Sequence, residues 1–146
     1  MSNNNASEKG LGQWGESALD PMAVMKVSSA YWTSSVLHVA NALDIFSELA
    51  KGAATADELA QRCGADLRGL EMILIALVPL GFLDKQQDKF HNTETSETFL
   101  VKGRPRYQGG IVTMFESWMS PWTQLKKAVI EGIPVAEKQH DHGEEE

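Results

Sequence analysis

Residues 55–92 constrain the fold more than any other part of this chain, because each of their turns carries its own local punctuation. In Thr55-Ala56-Asp57-Glu58 the threonine hydroxyl and the glutamate carboxylate can satisfy each other's free backbone N–H groups. That capping box predicts a short helix ending at Cys63-Gly64. Asp66 is placed to cap a second helix, whose body "LRGLEMILIALVPLG" is apolar almost throughout after Glu71 and is expected to be a core helix. Residues 82–85 and 89–92, separated by the polar Gln86-Gln87-Asp88, predict a small β-hairpin, with a short helix over 93–100 behind it. Helix, turn, helix and hairpin in that order form a winged-helix pattern.

The flanks are helical as well. Asp20-Pro21 opens a helix with an N-cap residue and a proline at the first helical position. Along it Met25, Ser29, Trp32, Val36, Val39 and Leu43 form one stripe, and Val24, Val27, Tyr31, Leu37 and Ala40 a second. A helix apolar on two faces must bury both, which points to a partner surface, either a second subunit or a further domain. Residues 44–49 read as one more short turn, closed at Lys51-Gly52. After the loop "VKGRPRYQGG", Ile111, Met114, Phe115 and Trp118 recur at helical spacing. Pro121 predicts a break there and a new helix capped by Ser120, in which Trp122, Leu125 and Val129 continue the stripe until Gly132 and Pro134. The predicted fold is mainly α, a winged-helix-like domain with a small β-hairpin, flanked by long N- and C-terminal helices. Its expected layout is a flexible arm over 1–17 with Trp14 as a possible anchor, the domain itself over 18–135, and an acidic linker over 136–146.

At 146 residues the chain has the size of one ordinary domain. Glu131, Glu137, Asp141, Glu144, Glu145 and Glu146 stand against Lys138 alone, so this C-terminal stretch carries −5 of the formal −7 and the rest of the chain −2. A nearly neutral body gives no electrostatic reason to expect a nucleic-acid partner. Cys63 is the single cysteine, which excludes an internal disulfide and fits a reducing compartment; it reads as a small apolar residue at a helix end rather than a nucleophile. No uncharged apolar run reaches about 18 residues, and the N-terminus lacks the apolar core of a leader, so a cytoplasmic protein with no membrane partner is expected.

Few residues suggest chemistry. A winged helix raises the possibility of a DNA-binding transcriptional regulator, yet the second helix offers only Arg68, and the hairpin sets Lys85 and Lys89 beside Asp84 and Asp88. His140-Asp141-His142 could hold a divalent ion, but Gly143 and the charge run read as a solvated linker, so no metal is expected. His38 and His91 stand alone and read as structural. Gly109-Gly110 and Gly10-Leu11-Gly12 follow no apolar strand, so neither reads as a cofactor loop, and no nucleophile–base pair is visible. No catalytic, cofactor-binding or metal-ligating residue is assigned. The stripe Met114, Phe115, Trp118, Met119, Trp122 remains. It reads either as core or subunit interface, or as one wall of an apolar pocket for a planar organic ligand.

Three segments resemble the N-terminal dimerisation domain of S-adenosylmethionine-dependent O-methyltransferases that act on small aromatic and natural-product hydroxyls, of the caffeic-acid, acetylserotonin and bacterial polyketide types. "AVMKVSSAYWTSSVLHVANALDIFSELAKG" is similar to the family's long first helix and its ending, "TADELAQRCGADLRGLEMILIALVPLGFL" to its helix-turn-helix, and "WTQLKKAVIEGIP" to its "W..L..AV..G.P" signature. The resemblance covers about residues 20–135 and implies an interlocked homodimer with Met25, Tyr31, Trp32 and Val36 at the interface. It implies that Ser29 reaches the partner's substrate pocket and that Met114, Phe115 and Trp118 form the chain's own part of the substrate wall, with Trp122 packing structurally. It also implies that S-adenosylmethionine and the catalytic residues belong to a Rossmann-like domain downstream, in cis or in trans. The chain alone is then expected to bind no cofactor and transfer no methyl group, and its acidic tail to begin the linker into that domain. A free-standing interaction domain without a ligand is the third alternative.

Overall fold

The computed structural model describes residues 21–135. The arm expected over 1–17, with Trp14, and the acidic segment with His140-Asp141-His142 lie outside the described residues. The elements in order are α1 (Pro21–Ser28), α2 (Ala30–Ala42), α3 (Ile45–Leu49), β1 (Ala54–Thr55), α4 (Ala56–Cys63), α5 (Leu67–Leu77), β2 (Leu83–Gln86), β3 (Lys89–Asn92), α6 (Glu94–Phe99), α7 (Gly109–Trp122) and α8 (Leu125–Glu131). They divide into two compact units, the first ending at Thr33 and the second beginning at Ser34.

In the first unit, the expected long helix is interrupted for one residue at Ser29, whose hydroxyl donates to the Met25 carbonyl at 2.7 Å. Such a back-bond competes with the helical ladder and loosens it locally. Met22, Val24, Met25 and Val27 are all exposed, and at about 100° per residue they point to every side of α1. Tyr31 and Trp32 stand edge to face, 5.9 Å between ring centres.

The second unit holds the core. Thr55 and Glu58 form the capping box: the Glu58 N–H donates to Thr55 Oγ1 at 3.2 Å and the Thr55 N–H to Glu58 Oε2 at 2.8 Å. Gly64 closes α4 in the left-handed region at φ 65°, where a side chain would be strained. The Asp66 carboxylate accepts from the Gly69 N–H at 3.0 Å and starts α5. The helix-turn-helix α4–α5 is followed by the hairpin β2–β3, whose turn at Gln87 takes a φ of 56°. The sheet has a third, unexpected strand: β1 pairs with β3, Ala54 opposite Phe90, giving the order β1-β3-β2, all antiparallel. Ile45, Phe46, Leu59, Leu74, Leu77, Leu83 and Phe90 are fully buried between these elements. The winged-helix-like, mainly helical fold is therefore present, with a three-stranded sheet in place of a bare hairpin.

Two expectations are corrected. The first is that α5 is a core helix: it buries only Leu70, Leu74 and Leu77, while Met72 and Ile75 on the opposite side are 65% and 52% exposed. The second is the helix break at Pro121. Pro121 has no N–H for the carbonyl four residues back, but α7 continues through it to Trp122. It then tightens into three-residue closures, Thr123 N–H to Ser120 O at 3.2 Å and Gln124 N–H to Pro121 O at 3.0 Å, and the break falls at Thr123-Gln124.

Polar ties secure α6 and the loop after it. Asn92 Nδ2 donates to the Phe46 carbonyl at 2.9 Å and to Glu97 Oε2 at 3.0 Å, and Arg104 pairs with the other Glu97 oxygen. The Asn92 donor, then Arg104, hold the Glu97 carboxyl below its ordinary value of 4.5. Because the folded value is lowered, this carboxylate adds stability above that ordinary value and loses its contribution as pH falls through the lower folded one. Glu97→Gln should therefore lower the urea midpoint at pH 7, with a deficit that shrinks as pH is brought progressively below 4.5; a deficit independent of pH would remove the ionic explanation. In the core, Leu74→Ala should cost about 3 kcal/mol by urea unfolding, against about 1 kcal/mol for Thr55→Ala, which loses only a cap.

Candidate functional site

Phe115, Trp118 and Trp122 all lie on α7, and the attachment of that helix decides which way they face. Its inner side is defined by Gly109, Val112 and Met119. Gly109 is buried and Val112 packs on the core. Asn41 of α2 donates through Nδ2 to the Gly109 carbonyl at 3.2 Å and to Thr113 Oγ1 at 3.1 Å. A Cβ at position 109 would stand 2.1 Å from the Tyr107 hydroxyl and 2.6 Å from Asn41 Oδ1, so any other residue there would have to displace both side chains. Further along, His38 Nδ1 lies 3.2 Å from Met119 Sδ. His38 and Asn41 are one turn apart on α2, and their partners run the opposite way along α7, as an antiparallel pair of helices requires.

Ile111, Met114, Phe115, Trp118 and Trp122 fall on the opposite side of α7, about half a turn from the Gly109–Met119 line. All five are exposed, Trp118 at 41%. The Phe115 and Trp118 rings meet edge to face, with centres 5.4 Å apart and planes at 89°. The structure thus brings Met114, Phe115 and Trp118 onto one bare surface. Trp122, expected to pack structurally, stands on that same surface and on the same helix as Trp118, because α7 passes through Pro121. The surface continues into α8, which buries no residue and leaves Leu125, Val129 and Ile130 exposed. A shallow, open hollow of about 400 Å³ lies there, lined by Thr123, Gln124, Lys126, Lys127, Ile130 and Glu131.

The remaining expected site residues belong to α1, α2 and the residue between them. Ser29 is half-buried in the first unit, its hydroxyl engaged by Met25. Met25, Tyr31 and Trp32 are exposed apolar residues, as an interface requires, whereas Val36 is half-buried and packs on the domain's own core. Asn41 escaped sequence reasoning: a polar residue inside an apolar helix stripe was its one signal, and its partners lie 68 and 72 residues away.

Other chemistry finds little footing. Burial raises the Cys63 thiol above its ordinary range, with the Glu48 and Asp44 carboxylates acting in the same direction, which disfavours the nucleophilic thiolate. His91 Nε2 lies 3.8 Å from Asp84 Oδ2, directly across the hairpin. No three metal-binding side chains converge among the described residues. Among the same residues no helix is long and apolar enough to cross a membrane. The outer side of α5 presents Arg68 beside Glu71 and then Met72 and Ile75, an apolar surface unlike a base-reading one. Gly109 is crowded by Tyr107 and Asn41 and follows a turn rather than a strand, so Gly109-Gly110 does not form a cofactor loop.

Residues 25–102 match the model of the O-methyltransferase dimerisation domain, more than half of the chain. The chain belongs to the O-methyltransferase dimerisation-domain family. Among relatives, this dimerisation domain is 33% identical over 116 residues to the 3-hydroxy-5-methyl-1-naphthoate 3-O-methyltransferase of Streptomyces sahachiroi, covering 79% of this chain and 34% of that enzyme. It is 32% identical over 111 residues to the N,N-dimethyltransferase OxyT of Streptomyces rimosus, covering 75% and 32%. The solved structure of PigF with SAH, a methyltransferase of Serratia, superposes with a TM-score of 0.73 at 27% identity, covering 78% of this chain and 38% of that one. The chain spans about a third of the length of the curated relatives it matches.

Proposed function

We propose that this chain is the dimerisation and substrate-wall domain of an S-adenosylmethionine-dependent methyltransferase acting on a small aromatic or natural-product hydroxyl. The observation that carries the reading is the bare face of α7, where Met114, Phe115 and Trp118 turn away from the core while the opposite face is fastened to α2. Flat rings and a thioether suit one side of a slot for a planar acceptor. In this reading the chain supplies positioning and exclusion of water, and a Rossmann-like catalytic domain, in cis or in trans, supplies the chemistry. One of the relatives methylates nitrogen, so the hydroxyl acceptor rests on the family resemblance and on the O-methylating relatives.

The homodimer is part of the same proposal. A helix whose exposed apolar residues point to every side calls for a covering surface, and α1 is such a helix, with only Lys26 and Ser28 as polar side chains. A second copy that enclosed α1 and covered Tyr31 and Trp32 would meet this need, and it would bring Ser29 to the partner's pocket. The proposal places this two-copy assembly in the cytoplasm, with no nucleic-acid or membrane partner.

Light scattering after size exclusion at micromolar concentration should give twice the chain mass, and Trp32→Glu should give a monomer. A folded monomer of the unaltered chain would end the dimer proposal. With the catalytic domain present, Trp118→Ala should raise KM for a planar phenol about tenfold, corresponding to about 1.4 kcal/mol of binding, with a smaller change in kcat. An unchanged KM would remove Trp118 from the wall.

A further inference from the structure

We infer that His38 and Asn41 are positioning residues, a pair of polar fasteners on α2 that fix the rotation and register of α7 and so the presentation of its aromatic face. The inference rests on the pocket-wall reading for its functional meaning, and on the geometry of the second unit for its content.

Helix α7 has 14 residues and a single buried one, Gly109 at its start. Val112 adds an apolar contact to the core one turn on. With only that end attached, the helix could swing and turn about its N-terminus. Asn41 holds this end, spending its two amide hydrogens on the Gly109 carbonyl and the Thr113 hydroxyl. The Thr113 hydroxyl in turn donates to the same Gly109 carbonyl at 3.1 Å, closing a three-membered polar ring. His38 provides the second attachment, through Met119 Sδ at 3.2 Å. Met119 lies ten residues beyond Gly109, about 15 Å along the helix axis at 1.5 Å per residue. Two attachments this far apart define a direction and a rotation where one would define neither.

The chemistry suits alignment better than strength. Hydrogen bonds are directional, whereas Leu or Val at positions 38 and 41 would pack α7 over a range of rotations. Both fasteners lie in the least exposed part of α2, His38 and Asn41 each being 8% exposed, where an unpaired polar group would be costly. Trp118 is the neighbour of Met119 and Phe115 is one turn before it. A rotation of α7 by about 20° would carry a tryptophan ring, about 8 Å from the helix axis, through about 3 Å. Displacements of about 1 Å in a positioning group already cost substantial rate, so the fasteners would act directly on pocket fit.

The test is NMR of the side-chain rings in the full chain, with assigned Phe115 and Trp118 resonances, whose edge-to-face contact makes their shifts sensitive to orientation. His38→Ala, Met119→Leu and Asn41→Ala should each move these resonances and speed amide exchange along residues 115–119. His38→Gln, which keeps an N–H donor near Met119, should restore the His38→Ala shifts. Thr55→Ala serves as control, since it weakens the fold at the α4 cap, and it should leave the two rings unmoved. Unmoved rings in His38→Ala or Asn41→Ala, equal movement in the control, or no recovery in His38→Gln would each overturn the inference. None of these readouts requires an acceptor, so they fail independently of the pocket wall, which stands or falls on the Trp118→Ala kinetics.

Discussion

More apolar helix surface is present in this chain than its own core can cover, and the rest of the structure follows from how that excess is distributed. The core proper is small: Ile45, Phe46, Leu59, Leu74, Leu77, Leu83 and Phe90 fill the space between α3, α4, α5 and the sheet. Everything apolar beyond that volume must face outward. It does so at α1, along the outer sides of α5 and α7, and on α8, each a surface that would be an error in a solitary protein. A dimerisation domain is the kind of object for which such an imbalance is sensible, because its missing core atoms belong to other polypeptide.

The outward surfaces differ in character. Around α1 they are aliphatic, thioether and edge-to-face aromatic groups pointing in all directions, which suits enclosure by another protein chain. On α7 they occupy one side of a helix whose other side is held by directional contacts. A surface intended only for burial needs no such alignment, since protein against protein can repack by small shifts. A surface that must meet a rigid planar molecule cannot adapt in that way, and the polar ties on the inner side of α7 are the kind of restraint it would need.

Much of the fold was legible because its signals are local. Thr55 with Glu58, Asp66 with Gly69, Gly64 after α4 and the strands on either side of Gln87-Asp88 each act within a few residues, and the elements begin and end where those residues stand. What stayed hidden depended on distance in sequence or on missing periodicity. Strand β1 has two residues, too few to show alternation, and exists because β3 offers it a free edge. The bare side of α5 could not be separated from its buried side, since Leu70 and Met72 are equally apolar in sequence. Of the candidate site, the stripe Met114, Phe115, Trp118 was readable from helical spacing, while Asn41 and His38 were not, their partners being some 70 to 80 residues away.

Pro121 shows how a strong local signal can mislead about place while remaining right about cause. A proline removes one hydrogen bond from a helix, and in the last turn, unlike the first, the missing N–H leaves the carbonyl four residues back without its ladder donor. The chain uses Pro121 there: α7 runs two residues into the proline's turn, and the Thr123 hydroxyl supplies an extra bond to Ser120 O at 2.7 Å. Because the break follows Trp122 and not Ser120, both tryptophans stay on one rigid helix and on one face. The interruption is left to the Thr123-Gln124 joint, after which α8 carries its own bare apolar residues. An aromatic surface that had to be split by a helix break could not be aligned by two contacts on α2; one that ends just before the break can.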